Sequence, residues 1–176
     1  MGKRYLVVVD MQNDFVSGAL GTPEAEAIVE RAAATAAAFE GEVVFTLDTH
    51  GEDYAETQEG RLLPVPHCIR GTWGWQLVDE LEAVRTARGA RTFEKGAFGS
   101  VELARALAAA DAADPIESVE LIGLCTDICV VSNALLIKAF LPEVPVSVDA
   151  SCCAGVTPAA HEAALATMGS CQILVS

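Results

Sequence analysis

Positive charge is scarce in this sequence: eleven Lys plus Arg face 25 Asp plus Glu, for a formal net charge of −14. A surface of that sign repels phosphate backbones, and no local basic cluster offsets it, which argues against nucleic-acid binding. Long apolar runs are also missing. No segment reaches the roughly 18 apolar residues that a bilayer-spanning helix needs, so no membrane association is expected. Met1-Gly2-Lys3-Arg4 leads directly into Tyr5–Val9, an apolar run too short for a secretory signal and without a cleavage site. The expected compartment is therefore the cytoplasm. The six cysteines lack paired C-x-x-C knuckles, which argues against a structural zinc site, and a reducing compartment argues against a disulfide frame. At least one thiol then needs another explanation.

What is present is apolar material in short, regular blocks. The 176 residues are 52% hydrophobic, enough for one compact domain with a sizeable core. Tyr5–Val9, Val43–Leu47, Arg91–Glu94, Ser118–Ile122, Val144–Val148 and Gln172–Val175 read as strands. Between them, Pro23 to Phe39, Val101–Ala110, Ile128–Phe140 and Pro158–Met168 read as helices, with Pro23 at a first helical position and Gly41 as a terminator. Strands that are apolar without alternation, separated by helices, predict a mostly parallel six-stranded sheet covered on both faces. The expected fold is a single-domain, three-layer α/β/α arrangement over residues 1–176. The stretch from Asp48 to Trp75 shows no period, and a loop of that length inside a compact domain is usually functional.

In such sheets ligands bind beyond the carboxyl ends of the strands. The residues expected there are Asp10, Asp48, Lys95, the Gly123–Cys129 segment and Asp149. Gly123-Leu124-Cys125-Thr126-Asp127-Ile128-Cys129-Val130 follows a strand and opens a helix, with Thr126 or Asp127 as the expected cap. A thiol in the first helical turn feels the positive end of the helix, which favours thiolate. The N–H groups of Cys125 and Cys129 could hold an oxyanion. Taken alone, Cys129 also reads as a buried structural cysteine. A cysteine nucleophile needs a base, and no histidine lies nearby, but Asp10 and Lys95 fall at strand ends.

Three segments together resemble the isochorismatase-like cysteine hydrolases, which include nicotinamidases. They are Val9-Asp10-Met11-Gln12-Asn13-Asp14-Phe15, Glu94-Lys95-Gly96-Ala97-Phe98 and Gly123-Leu124-Cys125-Thr126-Asp127-Ile128-Cys129-Val130. They stand in the family's order, and the resemblance covers nearly the whole chain. It implies a Rossmann-like, isochorismatase-like fold, with Asp10, Lys95 and Cys129 as catalytic residues and an oxyanion hole from the Cys125 and Cys129 amides. It also implies a non-proline cis peptide between Leu124 and Cys125. The implied substrate is a small amide, cleaved through a thioester. Phe15 and Phe98 are candidate substrate-packing aromatics, with Trp73 and Trp75 as further candidates.

Asp48-Thr49-His50 and, farther on, Glu59 and His67 offer two imidazoles and two carboxylates, a set suited to a divalent ion such as Zn²⁺, Mn²⁺ or Fe²⁺. Asp-x-His alone also reads as a pair of loop hydrogen-bonders. The resemblance implies the metal set, with Asp48, His50 and His67 on matching positions. Many nicotinamidases carry a further histidine shortly after the first pair, and this chain has none there. Glu59 fits a glutamate variant, one residue farther from His67 than usual, and Glu56 is the alternative. The remaining histidine, His161, is expected at the surface of the late helix. An isochorismate enol ether, an N-carbamoyl or ureido substrate, and a non-catalytic binding protein on the same fold remain as alternatives. The apolar character of Ile128–Phe140 in a chain this small predicts a homo-oligomer.

Overall fold

The computed structural model describes residues 2–176. Its strands are β1 (Lys3–Val9), β2 (Glu42–Asp48), β3 (Arg91–Lys95), β4 (Ile116–Leu124), β5 (Val146–Ala154) and β6 (Leu174–Val175), joined in the order β3-β2-β1-β4-β5-β6. Every pairing is parallel, so the sheet is wholly rather than mostly parallel. Parallel neighbours need crossover connections, and these carry α1 (Asn13–Val16), α2 (Pro23–Ala38), α3 (Gln58–Leu62), α4 (Asp79–Arg88), α5 (Val101–Ala113), α6 (Val131–Phe140) and α7 (Pro158–Ser170). Among the described residues, no helix is long and apolar enough to cross a membrane.

The two-residue alternation of β1 divides the core. Leu6 and Val8 pack with Ile28 and Ala32 of α2 and Leu81 of α4, while Val7 and Val9 pack with Leu107, Ile137 and Leu165 of α5, α6 and α7. Two of those helices begin on a Thr-Pro pair. The hydroxyls of Thr22 and Thr157 accept from the N–H of Ala25 and Ala160, both at 3.1 Å, and the following proline has no N–H to leave unpaired.

Four elements differ from expectation. Helix α4 was not anticipated: Leu81 is its one buried residue, so an apolar period is hard to see in a mostly polar segment. The long loop after β2 holds a 3₁₀ turn, Tyr54–Glu56, as well as α3. The helix expected from Ile128 begins earlier, as a π-helical turn over Thr126–Val130, with Val130 N–H donating to Cys125 O at 3.0 Å. Neither Thr126 nor Asp127 caps it. Finally, β5 continues to Ala154 and slips register against β4 between Leu121 and Gly123. Asp149 therefore lies on that irregular stretch, accepting from Ser151, and not at a strand end.

The strand order reverses between β1 and β4. At such a switch point the loops that leave neighbouring strands diverge and open a crevice. Asp10 leaves β1 and the Cys125–Val130 turn leaves β4 at that place. Gly123 sets how closely they approach. It has φ +119° and lies opposite Val9, and a β-carbon there would stand 2.1 Å from the Val9 carbonyl oxygen.

Candidate active site

Asp10, Lys95 and Cys129, which sequence places 34 and 85 residues apart or more, meet in this crevice. Asp10 has φ +46°; its N–H donates to Thr46 O at 3.3 Å and its Oδ1 accepts from the Thr46 hydroxyl at 2.6 Å. Lys95 Nζ lies 2.6 Å from Asp10 Oδ2 and donates to Cys129 Sγ at 3.4 Å and to Asp48 Oδ1 at 3.3 Å. Apart from the ion pair with Lys95, Asp10 Oδ2 has no partner among the described residues. All three side chains are buried.

Burial sets the protonation pattern. It raises the Asp10 carboxyl above its ordinary value, against the pull of Lys95 and with help from Asp48. Burial opposes the charge of Lys95, but Asp10, Cys129 and Asp48 outweigh it and hold the ammonium firmly protonated. Burial, then Asp10, raises the Cys129 thiol well above its ordinary value. Burial thus works against the thiolate expected from the helix end. Cys125 is pushed up to about 12 by burial, then by Asp127 and Asp10. What separates the two thiols is the neighbour, since only Cys129 has the Lys95 ammonium within hydrogen-bond distance.

The Leu124–Cys125 peptide bond is cis. Cys125 and Cys129 stand at the two ends of the π turn, and both line a cavity of about 580 Å³. Phe15, Leu62, Leu63, Phe98 and Ile128 give that cavity its apolar walls. Phe15 and Phe98 both line the cavity, whereas Trp73 is largely exposed and the Trp75 indole donates to the Thr49 hydroxyl at 2.9 Å, outside the cavity.

The same cavity is lined by Asp48, His50, Glu59 and His67, with one ligand atom from each within 4.8 Å of the others. His50 Nε2 lies 3.0 Å from Asp48 Oδ2 and 3.7 Å from Glu59 Oε1; His67 Nε2 lies 3.5 and 3.6 Å from the same oxygens. His67 Nδ1 bonds the Val65 carbonyl at 2.8 Å. A carbonyl can only accept, so Nδ1 carries a proton and Nε2 is the ring atom turned toward the carboxylates, the one that would ligate a metal. Burial opposes charge on Asp48, but the bonds to His50 and His67, and Lys95, keep its carboxyl well below the usual range. Two imidazoles and two carboxylates converging on one point fit a borderline divalent ion such as Zn²⁺, Mn²⁺ or Fe²⁺. Glu56 is not in this group; its carbonyl accepts from the Arg61 guanidinium.

Several side chains that hold this arrangement were not singled out from sequence. Gln12 clamps Asp48 in both directions, donating to its carbonyl at 2.9 Å and accepting from its N–H at 2.8 Å. Tyr54 is buried edge-on against both imidazoles, with its hydroxyl on Leu63 O at 2.8 Å. Asn133 bonds Cys129 O at 2.8 Å and takes the Ser100 N–H at 2.9 Å. Thr46, a polar residue inside an apolar strand, and Gln12, inside a matched segment, carried a visible signal. His161 is a correction: it is half-buried, and its Nδ1 lies 2.8 Å from the hydroxyl of the fully buried Thr126.

Comparison with known proteins gives the same picture. The family described as isochorismatase domain matches residues 4–176. A nicotinamidase of Saccharomyces cerevisiae is 31% identical over 123 residues, a match that spans 52% of this chain and 56% of that protein. The crystal structure of a nicotinamidase/pyrazinamidase from Bacillus subtilis superposes with a TM-score of 0.80 at 30% identity, covering 99% of both chains. A pyrazinamidase of Pyrococcus horikoshii in complex with zinc gives a TM-score of 0.78 at 28% identity, covering 99% of this chain and 98% of that one.

Proposed function

From its membership of the isochorismatase family, to which this chain belongs, we propose that the protein is a cysteine-nucleophile amidohydrolase that converts nicotinamide to nicotinate and ammonia. The observation that carries this reading is the Lys95 ammonium held between the Asp10 carboxylate at 2.6 Å and the Cys129 thiol at 3.4 Å, with Cys129 lining a cavity that has apolar walls.

The chemistry follows from those contacts. The raised basicity of Asp10 suits it to take the proton from a thiol that burial keeps protonated. As Cys129 Sγ adds to the amide carbon, Lys95 stays between the two groups and balances the charge that passes from carboxylate to sulfur. The oxygen that gains charge is met by the N–H groups of Cys125 and Cys129, donors fixed in place before the charge develops. Asp10 then gives its proton to the departing nitrogen, ammonia leaves, and an acyl thioester remains on Cys129. Water adds to the thioester with Asp10 as base, the C–S bond breaks, and the proton returns to sulfur as the acid is released. An ion held by Asp48, His50, Glu59 and His67 would act as a Lewis acid toward the substrate's ring nitrogen or a water beside it. Phe15 and Phe98 would pack the ring.

The test is ammonia release from a panel of small amides, including nicotinamide, pyrazinamide and N-carbamoyl compounds, with Cys129→Ala as blank. Turnover of nicotinamide that vanishes in Cys129→Ala is the expected result. Turnover confined to N-carbamoyl compounds would replace the substrate assignment, and none with any amide would defeat it.

A further inference from the structure

The π turn that carries both Cys125 and Cys129 is gripped from outside the catalytic cluster. Thr126, the first residue of the turn, is fully buried, and the partner its hydroxyl has is His161 Nδ1 on α7, at 2.8 Å. Asp127, next in the turn, accepts the Val156 N–H at 3.0 Å through Oδ1. Between these two anchors lies Gly155. A β-carbon there would fall 2.8 Å from His161 N and 2.9 Å from Asp127 Oδ1, so the segment from β5 to α7 lies directly against the turn. His161 is itself fixed, its N–H donating to Thr157 O in the first turn of α7 at 3.0 Å.

The turn has few restraints of its own. Its start has no side-chain cap. The Cys125 carbonyl accepts from both Ile128 and Val130 N–H, at 3.1 and 3.0 Å. Asn133 holds the Cys129 end through its carbonyl. At the Cys125 end, two side-chain bonds tie the turn to the rest of the molecule, Thr126 to His161 and Asp127 to the Val156 N–H, and of these the first holds the residue next to Cys125. Catalysis by fixed donors depends on placement to within a fraction of an ångström.

We propose that His161 is a positioning residue: through its hydrogen bond to Thr126 it fixes the Cys125–Cys129 turn against Lys95 and Asp10. The inference rests on the amidohydrolase reading for its kinetic consequence, but not for its structural one. His161→Ala should lower kcat at least tenfold, with KM for the best substrate of the panel changed less than threefold and bound metal unchanged. Alkylation of Cys129 by iodoacetamide should slow by a similar factor, because the thiol loses its register with Asp10 and Lys95. His161→Asn, which can return a polar atom to the place of Nδ1, should recover most of both losses, while His161→Leu should not. Thr126→Val should match His161→Ala, and the double variant should be no worse than either single one, since both remove one bond.

Two outcomes would overturn the proposal. One is a His161→Ala protein with a lowered melting temperature but native kcat and native alkylation at a temperature where it is folded. The other is full additivity of the two variants. Wild-type protein that turns over no amide would defeat the functional reading alone, and the alkylation rates would still decide the role of His161.

Discussion

Cys125 and Cys129 sit four residues apart on one turn, both facing the cavity, yet their chemistry is predicted to differ completely. Cys129→Ala should abolish turnover, a loss of at least about a thousandfold for a group that bonds the substrate. Cys125→Ala should keep a tenth or more of the activity, because its amide remains when its thiol is removed. Ammonia release by the two variants, with iodoacetamide labelling read by peptide mass spectrometry, checks both statements. Equal losses, or labelling at Cys125, would contradict the assignment. Asp10 adds a dependence on pH. Its carboxyl is raised by burial, and it must be ionised to take the thiol proton. Activity should therefore fall as pH drops through that raised value, so the acid limb of kcat/KM should lie above the ordinary aspartate value of about 3.9. A limb at or below that value would mean that another group is the base. At this scale the sequence was informative because Asp10, Lys95 and Cys129 stand at strand ends within distinctive segments. Tyr54 and His161 escaped because a lone polar side chain in a loop or an alanine-rich helix carries no local sign of its distant partner.

The loop between β2 and α4 carries three of the four candidate metal ligands, and β2 ends on the fourth. Apolar periodicity could not describe it. Its order comes from side chains such as Tyr54 and from α3, whose N-terminus is capped by the Thr57 hydroxyl at 3.0 Å from Gly60 N. That short helix sets the direction of Glu59. His50→Ala and His67→Ala should each reduce bound metal by tenfold or more in elemental analysis of purified protein. Glu59→Ala should reduce it less steeply, and Glu56→Ala should leave it unchanged. Chelated protein should process nicotinamide poorly yet be alkylated at Cys129 at close to the native rate, since Asp10 and Lys95 are the groups that act on the thiol. Suppressed alkylation after chelation would place the ion in nucleophile activation instead. The β4 turn offers a second test at this scale. Gly123→Ala places a β-carbon against Val9 O in a backbone region that L-residues avoid, and should cost about 2 kcal/mol or more, seen as a lowered melting temperature and lost activity.

Across the whole molecule, the sheet was the most legible feature. Three of its strands, β1, β2 and β4, are buried on both faces over most of their length and read as largely apolar runs, and that same burial dictates parallel pairing with helices on both sides. The irregular part of β5 and the polar α4 were not legible, because each is defined by what it packs against and not by its own pattern. The surface keeps Leu62 and Phe98 exposed where they line the cavity, Val101 exposed at the start of α5 and Phe140 at the end of α6. Apolar side chains in those places predict a homo-oligomer, and light scattering at micromolar concentration should return at least twice the 18.4 kDa chain mass; a monomer mass would contradict it. The central claim, however, is that this fold delivers one sulfur atom to an amide carbon. Mixing the protein with nicotinamide, quenching in acid within the first turnovers and digesting it for mass spectrometry tests that step directly. The account predicts a nicotinoyl group on the peptide that contains Cys129, absent from Asp10→Asn. Undiminished ammonia release from Cys129→Ala, with no acyl group on any cysteine of the wild type, would contradict it.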